Sequence, residues 1–194
     1  MSKYKQLPLI IGITGQIRAG KSTAATYLES HFGYKSIPNA QVLQKILSAL
    51  GLPLKRELLA ATGDALFAEL GRGIIARARV AEVQSTNSFD TSTRYVIDGI
   101  RYLEELDVYR TLPSFKLIAL EATDKERYQR TLDSDNTTKD GNISLDNFMS
   151  LNLAQSERYV PQLINAADFN IKNSGDMRQL EHNINSALKS FTEQ

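Results

Sequence analysis

The 194-residue chain contains no cysteine, which removes disulfides, thiolate nucleophiles and cysteine zinc sites from consideration. Its two histidines, His31 and His182, are too few for a histidine metal cluster, so any metal must be held by oxygen. An excess of either charge is missing as well. The 23 Lys and Arg against 22 Asp and Glu leave a net charge of +1, which gives no field to draw duplex nucleic acid or an anionic membrane. No segment approaches the roughly 20 apolar residues of a membrane helix. The apolar stretch after Lys3 and Lys5 imitates a signal peptide, but it is short and runs into a glycine loop without a small-residue cleavage site. The expectation is therefore a cytoplasmic protein with no membrane partner. Internal repeats are absent too, and one domain over residues 1–194 is expected, long enough to bury a substantial core.

What the chain does have is an alternation of short apolar runs with longer amphipathic segments. Strands are expected at Leu7 to Thr14, Tyr34 to Ile37, Tyr95 to Ile100, Phe115 to Glu121 and Asp168 to Ile171. Helical patterns fall at Lys21 to Phe32, Ala40 to Leu50, Arg56 to Gln84 with a break near Gly71 and Gly73, Leu103 to Thr111, Asp124 to Leu132, Leu145 to Glu157 and Asp176 to Phe191. Continuous apolar strands, each followed by a helix, indicate a parallel sheet covered on both faces: an α/β, three-layer fold.

The most specific signal is Gly15-Gln16-Ile17-Arg18-Ala19-Gly20-Lys21-Ser22, which satisfies G-x-x-x-x-G-K-[ST] between an apolar strand and an amphipathic helix. Such a P-loop wraps its backbone so that N–H groups point at phosphate oxygens, and the following helix adds its positive end. Gly15, Gln16, Ile17, Arg18, Ala19, Gly20, Lys21, Ser22 and Thr23 form the expected nucleotide-binding set. Lys21 would bridge the β- and γ-phosphates of ATP, and the Ser22 hydroxyl would ligate Mg²⁺.

Tyr95-Val96-Ile97-Asp98-Gly99-Ile100-Arg101 is an apolar strand ending in a carboxylate. Asp98 is the candidate Mg²⁺ partner of Ser22; a strand-terminal Asp-Gly turn explains the same residues. Arg101 falls where α/β sheets bind ligands, beyond the carboxyl ends of the strands, either to clamp an acceptor phosphate or to pair with Glu104 and Glu105. Arg127 and Arg130 are three apart and share a helix face, followed by a polar segment long enough to be a lid at about 131–150. Catalytic contacts are one reading for these arginines. A solvated face paired with Asp124 and Glu126 is the other.

With the P-loop, "VIDGIR", the arginine helix and the terminal "ADFNIKNSGDMRQL" in this order, nearly the whole chain resembles the nucleotide kinase group that includes dephospho-coenzyme A kinase and nucleoside monophosphate kinases. The resemblance implies a P-loop kinase fold with a five-stranded parallel sheet, a helical acceptor subdomain at about 38–90 and a lid. It also implies transfer of the ATP γ-phosphoryl to a small-molecule acceptor, with ATP and Mg²⁺ as cofactors. In such enzymes the last strand and turn lie beside the adenine, which implicates Asn173 and Gly175; a strand followed by a helix cap accounts for the same residues. Lys21, Arg101, Arg127 and Arg130 are then the candidate catalytic residues.

The departures concentrate on the acceptor side. Where related enzymes tend to carry an acid or arginines, this chain has Gln41, Phe67, Ser134 and Asn136, while Lys55, Arg56, Arg72, Arg77 and Arg79 are the basic residues left near the acceptor subdomain. A nucleotide-binding switch descended from a kinase is the rival reading. A GTPase is disfavoured, because no Asn-Lys-x-Asp segment is present.

Overall fold

The computed structural model describes residues 7–85, 93–133 and 143–193. Positions 134–142 of the expected lid, including Ser134 and Asn136, lie outside the described residues, as do Lys3, Lys5 and positions 86–90 of the expected acceptor subdomain.

Five strands, β1 (Ile10–Gly15), β2 (Tyr34–Ser36), β3 (Arg94–Asp98), β4 (Phe115–Glu121) and β5 (Phe169–Lys172), form one parallel sheet in the order β2-β3-β1-β4-β5. Every residue of β1 is buried, as a central strand covered on both faces requires. On one face Ile11 and Ile13 pack with Ala24 and Leu28 of α1 (Lys21–Phe32) and with Leu180, Ile184 and Leu188 of the last helix, Met177–Thr192. On the other, Ile10, Ile97 and Leu117 pack with Ala76, Leu106, Tyr109 and Leu163.

The remaining helices are α2 (Ala40–Ala49), α3 (Arg56–Leu70), α4 (Ile74–Ser85), α5 (Leu103–Arg110), α6 (Asp124–Leu132), α7 (Leu145–Leu151) and α8 (Val160–Asn165), with a 3₁₀ turn at Gln155–Glu157; the last helix is α9. The long pattern from Arg56 divides into α3 and α4 where Gly71 takes a positive φ of 80° that other residues rarely adopt. Two features depart from expectation. The segment from Leu145 to Glu157 is not one helix: α7 ends at Leu151, the next turns tighten, and the Asn152 side chain is drawn to Arg127 by a 3.0 Å hydrogen bond. α8 was hidden by Pro161, but proline is tolerated in a helix's first turn, where no intrahelical N–H bond is lost.

The switch in strand order falls at β1, which has β3 on one side and β4 on the other. Ile13 is in register with Asp98 and Gly15 with Leu120, so the P-loop leaves the sheet at the point where α/β folds bind ligands. Among the described residues no helix is long and apolar enough to cross a membrane.

Candidate active site

The loop from Gly15 to Gly20 needs unusual backbone. Gly15 and Gly20 have φ of 142° and 100°, and a Cβ at either would collide, with the Leu120 carbonyl at Gly15 and with the Asn173 amide at Gly20. Arg18 adopts a φ of 62° without being glycine, strain of the kind that rigid surroundings sustain at functional sites.

Those surroundings are side chains that hold the loop by its carbonyls. Lys21 Nζ donates to the Gly15 and Gln16 oxygens, both at 2.9 Å. Arg127 Nη1 donates to the Ile17 oxygen at 3.0 Å, Arg130 Nη1 to the Arg18 oxygen at 3.2 Å, and Asn173 Nδ2 to the Ala19 oxygen at 2.9 Å. Five consecutive carbonyls are thus bound from outside the loop. No side chain caps the amides that open α1, which leaves them for an anion. Thr23 lies in the first turn of that helix.

Arg127 and Arg130 do share a face, and the face is turned to the P-loop. Arg127 is fully buried, pairs with Asp124 and lies over the Phe148 ring, its carbon 5.5 Å from the centroid. Glu126 closes a capping box with Thr123 at the start of α6 instead of pairing with either arginine. Arg130 also donates to the Asn173 carbonyl, tying α6 to the end of β5. Gly175 precedes Asp176, which caps α9 by accepting the Gln179 N–H at 2.9 Å.

The Arg101 guanidinium pairs with neither Glu104 nor Glu105. It pairs with Glu157 and donates to the Gly15 oxygen at 3.3 Å, while Glu105 accepts the backbone N–H groups of Arg101 at 2.8 Å and Tyr102 at 3.2 Å. Glu157, nearly buried, also accepts the Ile17 N–H at 3.0 Å. No local pattern marks Glu157, because its role depends on the break after α7. Asn39 was missed for a similar reason. It links the Tyr109 hydroxyl, at 2.6 Å, to Glu105, at 2.9 Å, and its N–H donates to the Asp98 carbonyl at 2.9 Å. Burial pushes the Glu105 carboxyl up to about 7 against the pull of its backbone donors.

At the loop's exit the Ser22 hydroxyl donates to Asp98 Oδ2 at 2.7 Å. Asp98 Oδ1 is buried and has no hydrogen-bond partner among the described residues. A buried carboxylate oxygen without a donor beside a hydroxyl is a donor set that fits a hard divalent cation such as Mg²⁺. Among the described residues no group of three or more His, Cys, Asp or Glu could hold a metal by itself.

Burial pulls the Lys21 ammonium down to about 7, with the Arg101 charge adding to the effect and Asp98 and Glu157 opposing it. Because the folded value lies below the ordinary 10.5, the unfolded chain holds more protons between about pH 7 and 10.5, and stability rises with pH across that window. Phosphate oxygens beside Lys21 favour the ammonium. Mg²⁺-ATP binding at about pH 8 is therefore expected to take up close to one proton, read from calorimetry in buffers of different ionisation enthalpy. The uptake should vanish in Lys21→Ala, and heats independent of buffer in the wild type would contradict the assignment.

Beside the loop lies a cavity of about 710 Å³ between the P-loop, α2, α3 and the β3–α5 turn. Of the five basic residues near the expected acceptor subdomain, only Arg56 lines it. Arg79 is fully buried and bonded to Glu82, the Pro38 carbonyl and Gln41, so Gln41 orients an arginine in the core and leaves the cavity without a charge at that position.

No family model matches the chain. Similar sequences include UPF0200 proteins from Thermococcus gammatolerans, 29% identical over 125 residues, and from Methanococcus maripaludis strain C7, 25% identical over 182 residues. The first match covers 63% of this chain and 64% of its relative, the second 94% and 97%. The chain thus spans between about half and two thirds of the Thermococcus relatives it matches. Among solved structures, shikimate kinase from Bacteroides thetaiotaomicron superposes with a TM-score of 0.60 at 17% identity, covering 96% of this chain and 99% of that one. Dephospho-CoA kinase from Campylobacter jejuni gives 0.56 at 18%, covering 95% and 97%. The chain has the P-loop kinase fold. At these identities the likeness extends to the fold alone, and the P-loop kinase frame places Gly15–Ser22 at the end of its central strand.

Proposed function

We propose that the chain is a phosphotransferase that moves the γ-phosphoryl of ATP to a small-molecule acceptor with the help of Mg²⁺. The observation that carries the reading is the P-loop whose five carbonyls, Gly15 to Ala19, are held by the side chains of Lys21, Arg127, Arg130 and Asn173. That geometry suits a polyphosphate and little else, since it offers amides, an ammonium and a helix N-terminus to one anion. Ser22 and Asp98 would hold Mg²⁺, which would supply positive charge to offset that of the phosphates.

The chain's own residues then act by position and charge. Lys21 follows the charge that develops on the transferring group. Arg127, Arg130 and Asn173 keep the loop rigid from behind, so that its amides need no rearrangement during transfer. Arg101, held over Gly15 by Glu157, is the cation on the acceptor side of the loop.

The metal assignment is tested with Asp98→Asn. Nucleotide should still bind, with a Mg²⁺ dependence weakened by about tenfold. Identical metal responses of variant and wild type, titrated with and without Mg²⁺, would reduce Asp98 to a turn residue.

A nucleotide-binding switch remains the second reading, favoured by the uncharged Gln41 and Phe67 and by the immobilised Arg79. Both readings expect dephospho-coenzyme A and common nucleoside monophosphates to be poor acceptors, since one arginine in phosphoryl transfer can contribute ~10³ to 10⁵ in rate. Turnover of such a monophosphate at ~1 to 100 per second, followed by mass shift, would show that these departures are harmless.

A further inference from the structure

The cavity beside the P-loop has two unlike ends. Its floor carries Arg18, Lys21, Ser22, Asp98 and Arg101, and its far wall is formed by Leu43 of α2, Leu59, Ala60 and Phe67 of α3, with Ile75 of α4 and Tyr102 beneath. Phe67 stands edge-on to Tyr102, with ring centroids 4.9 Å apart and planes at 66°, so the wall offers aromatic surface as well as aliphatic.

The cations that could have made this wall a phosphate site are committed elsewhere. Arg72 stacks against Tyr102 and Tyr159, its guanidinium carbon 5.4 and 4.7 Å from the ring centroids, and donates to the Tyr159 hydroxyl at 2.9 Å. Arg79 is sealed in the core on the Pro38 carbonyl, Gln41 and Glu82. Arg77 and Lys55 are exposed and do not line the cavity. Arg56 is the one basic residue that α3 brings to the cavity, whereas a dianionic phosphate on a second substrate calls for two or more forked, charge-assisted contacts.

We infer that the acceptor is a neutral, ring-bearing alcohol whose flat apolar face lies against α2 and α3, rather than a compound accepting through its own phosphate. This rests on the phosphotransfer reading above. The acceptor hydroxyl oxygen bonds to the γ-phosphorus of ATP as the bond from that phosphorus to the β,γ-bridging oxygen breaks. ADP leaves with the electron pair, and the hydroxyl proton passes to solvent. A neutral acceptor suits the floor, where Arg101 already answers Glu157 and the remaining positive charge is needed for the triphosphate. It suits the wall, where burying a ring is favourable and burying a phosphate is not.

Adenosine and AMP provide a pair of probes that share a ring and differ by a phosphate. With the P-loop filled by Mg²⁺ and a non-hydrolysable ATP analogue, adenosine should bind at least about tenfold more tightly than AMP by calorimetry, and Phe67→Ala should weaken adenosine by about tenfold. Phe67 is only half-buried, and the melting shift caused by the analogue reports whether the variant remains folded. AMP binding tighter than adenosine overturns the inference. So does failure of both to bind while the analogue still raises the melting temperature, a result that leaves the phosphotransfer reading standing. Loss of the analogue's own shift in the wild type would instead remove the reading on which the inference depends.

Discussion

Lys21→Ala is expected to abolish most of the stabilisation that Mg²⁺-ATP gives the folded protein. In the wild type, nucleotide at about 100 times Kd should add ~2.7 kcal/mol, a melting shift of roughly 5 to 10 °C for a chain of this size. Lys21 reaches the Gly15 and Gln16 carbonyls across the loop, so its loss removes a phosphate partner and loosens two of the five held oxygens together. The variant should melt no lower than the free wild type, because burial of an ammonium whose value is pulled down to about 7 costs folding stability at neutral pH. A full nucleotide shift in Lys21→Ala would contradict the placement of the triphosphate in this loop.

Arg127→Ala carries the largest expected effect on stability. The side chain is fully buried and joins Asp124, Asn152 and the Ile17 carbonyl, and its removal leaves a cavity against Phe148 with three polar partners short of a donor. Breaking a buried charged network of this kind costs about 3 kcal/mol, a fall of roughly 6 to 12 °C in melting temperature. Arg130→Ala, whose side chain is only partly buried, should cost about 1 kcal/mol. Thermal unfolding of the two variants side by side decides the point. Equal, small effects would mean that Arg127 is a surface arginine in solution. Both variants should also show a smaller nucleotide shift than the wild type, since each releases one carbonyl of the loop.

The centre of the sheet was legible because β1, β3 and β4 carry contiguous apolar residues, and contiguity is what a one-dimensional reading detects well. The P-loop was legible for the same reason, with its glycines, lysine and serine inside eight residues. Asp98 ends β3, Arg101 follows it, Arg127 and Arg130 lie on α6 and Asn173 follows β5, and the parallel order β2-β3-β1-β4-β5 gathers them around that one loop. What the sequence did not disclose is the partner of each. Nothing near Arg101 in the chain points to Glu157, 56 residues on, nor does anything near Gln41 point to Arg79 in the core. These pairings depend on how α4 and α8 pack on the sheet and α7 packs on α6, and packing of that kind leaves no periodic trace. The helix expected through Glu157 failed in the same way. Its propensity was outweighed by tertiary bonds that turn the chain at Asn152 and bring Glu157 into the loop.

The fate of the γ-phosphorus tests the central claim most directly. Phosphorus NMR of Mg²⁺-ATP incubated with the protein and a series of ring-bearing alcohols follows that nucleus from donor to product. The account predicts that the γ signal is replaced by a new phosphate ester with at least one of these acceptors, that ADP appears in equal amount, and that Arg101→Ala stops the exchange while leaving the ATP-induced melting shift in place. ATP that binds, raises the melting temperature and keeps its γ signal with every acceptor would contradict phosphoryl transfer and make the chain a nucleotide-binding switch.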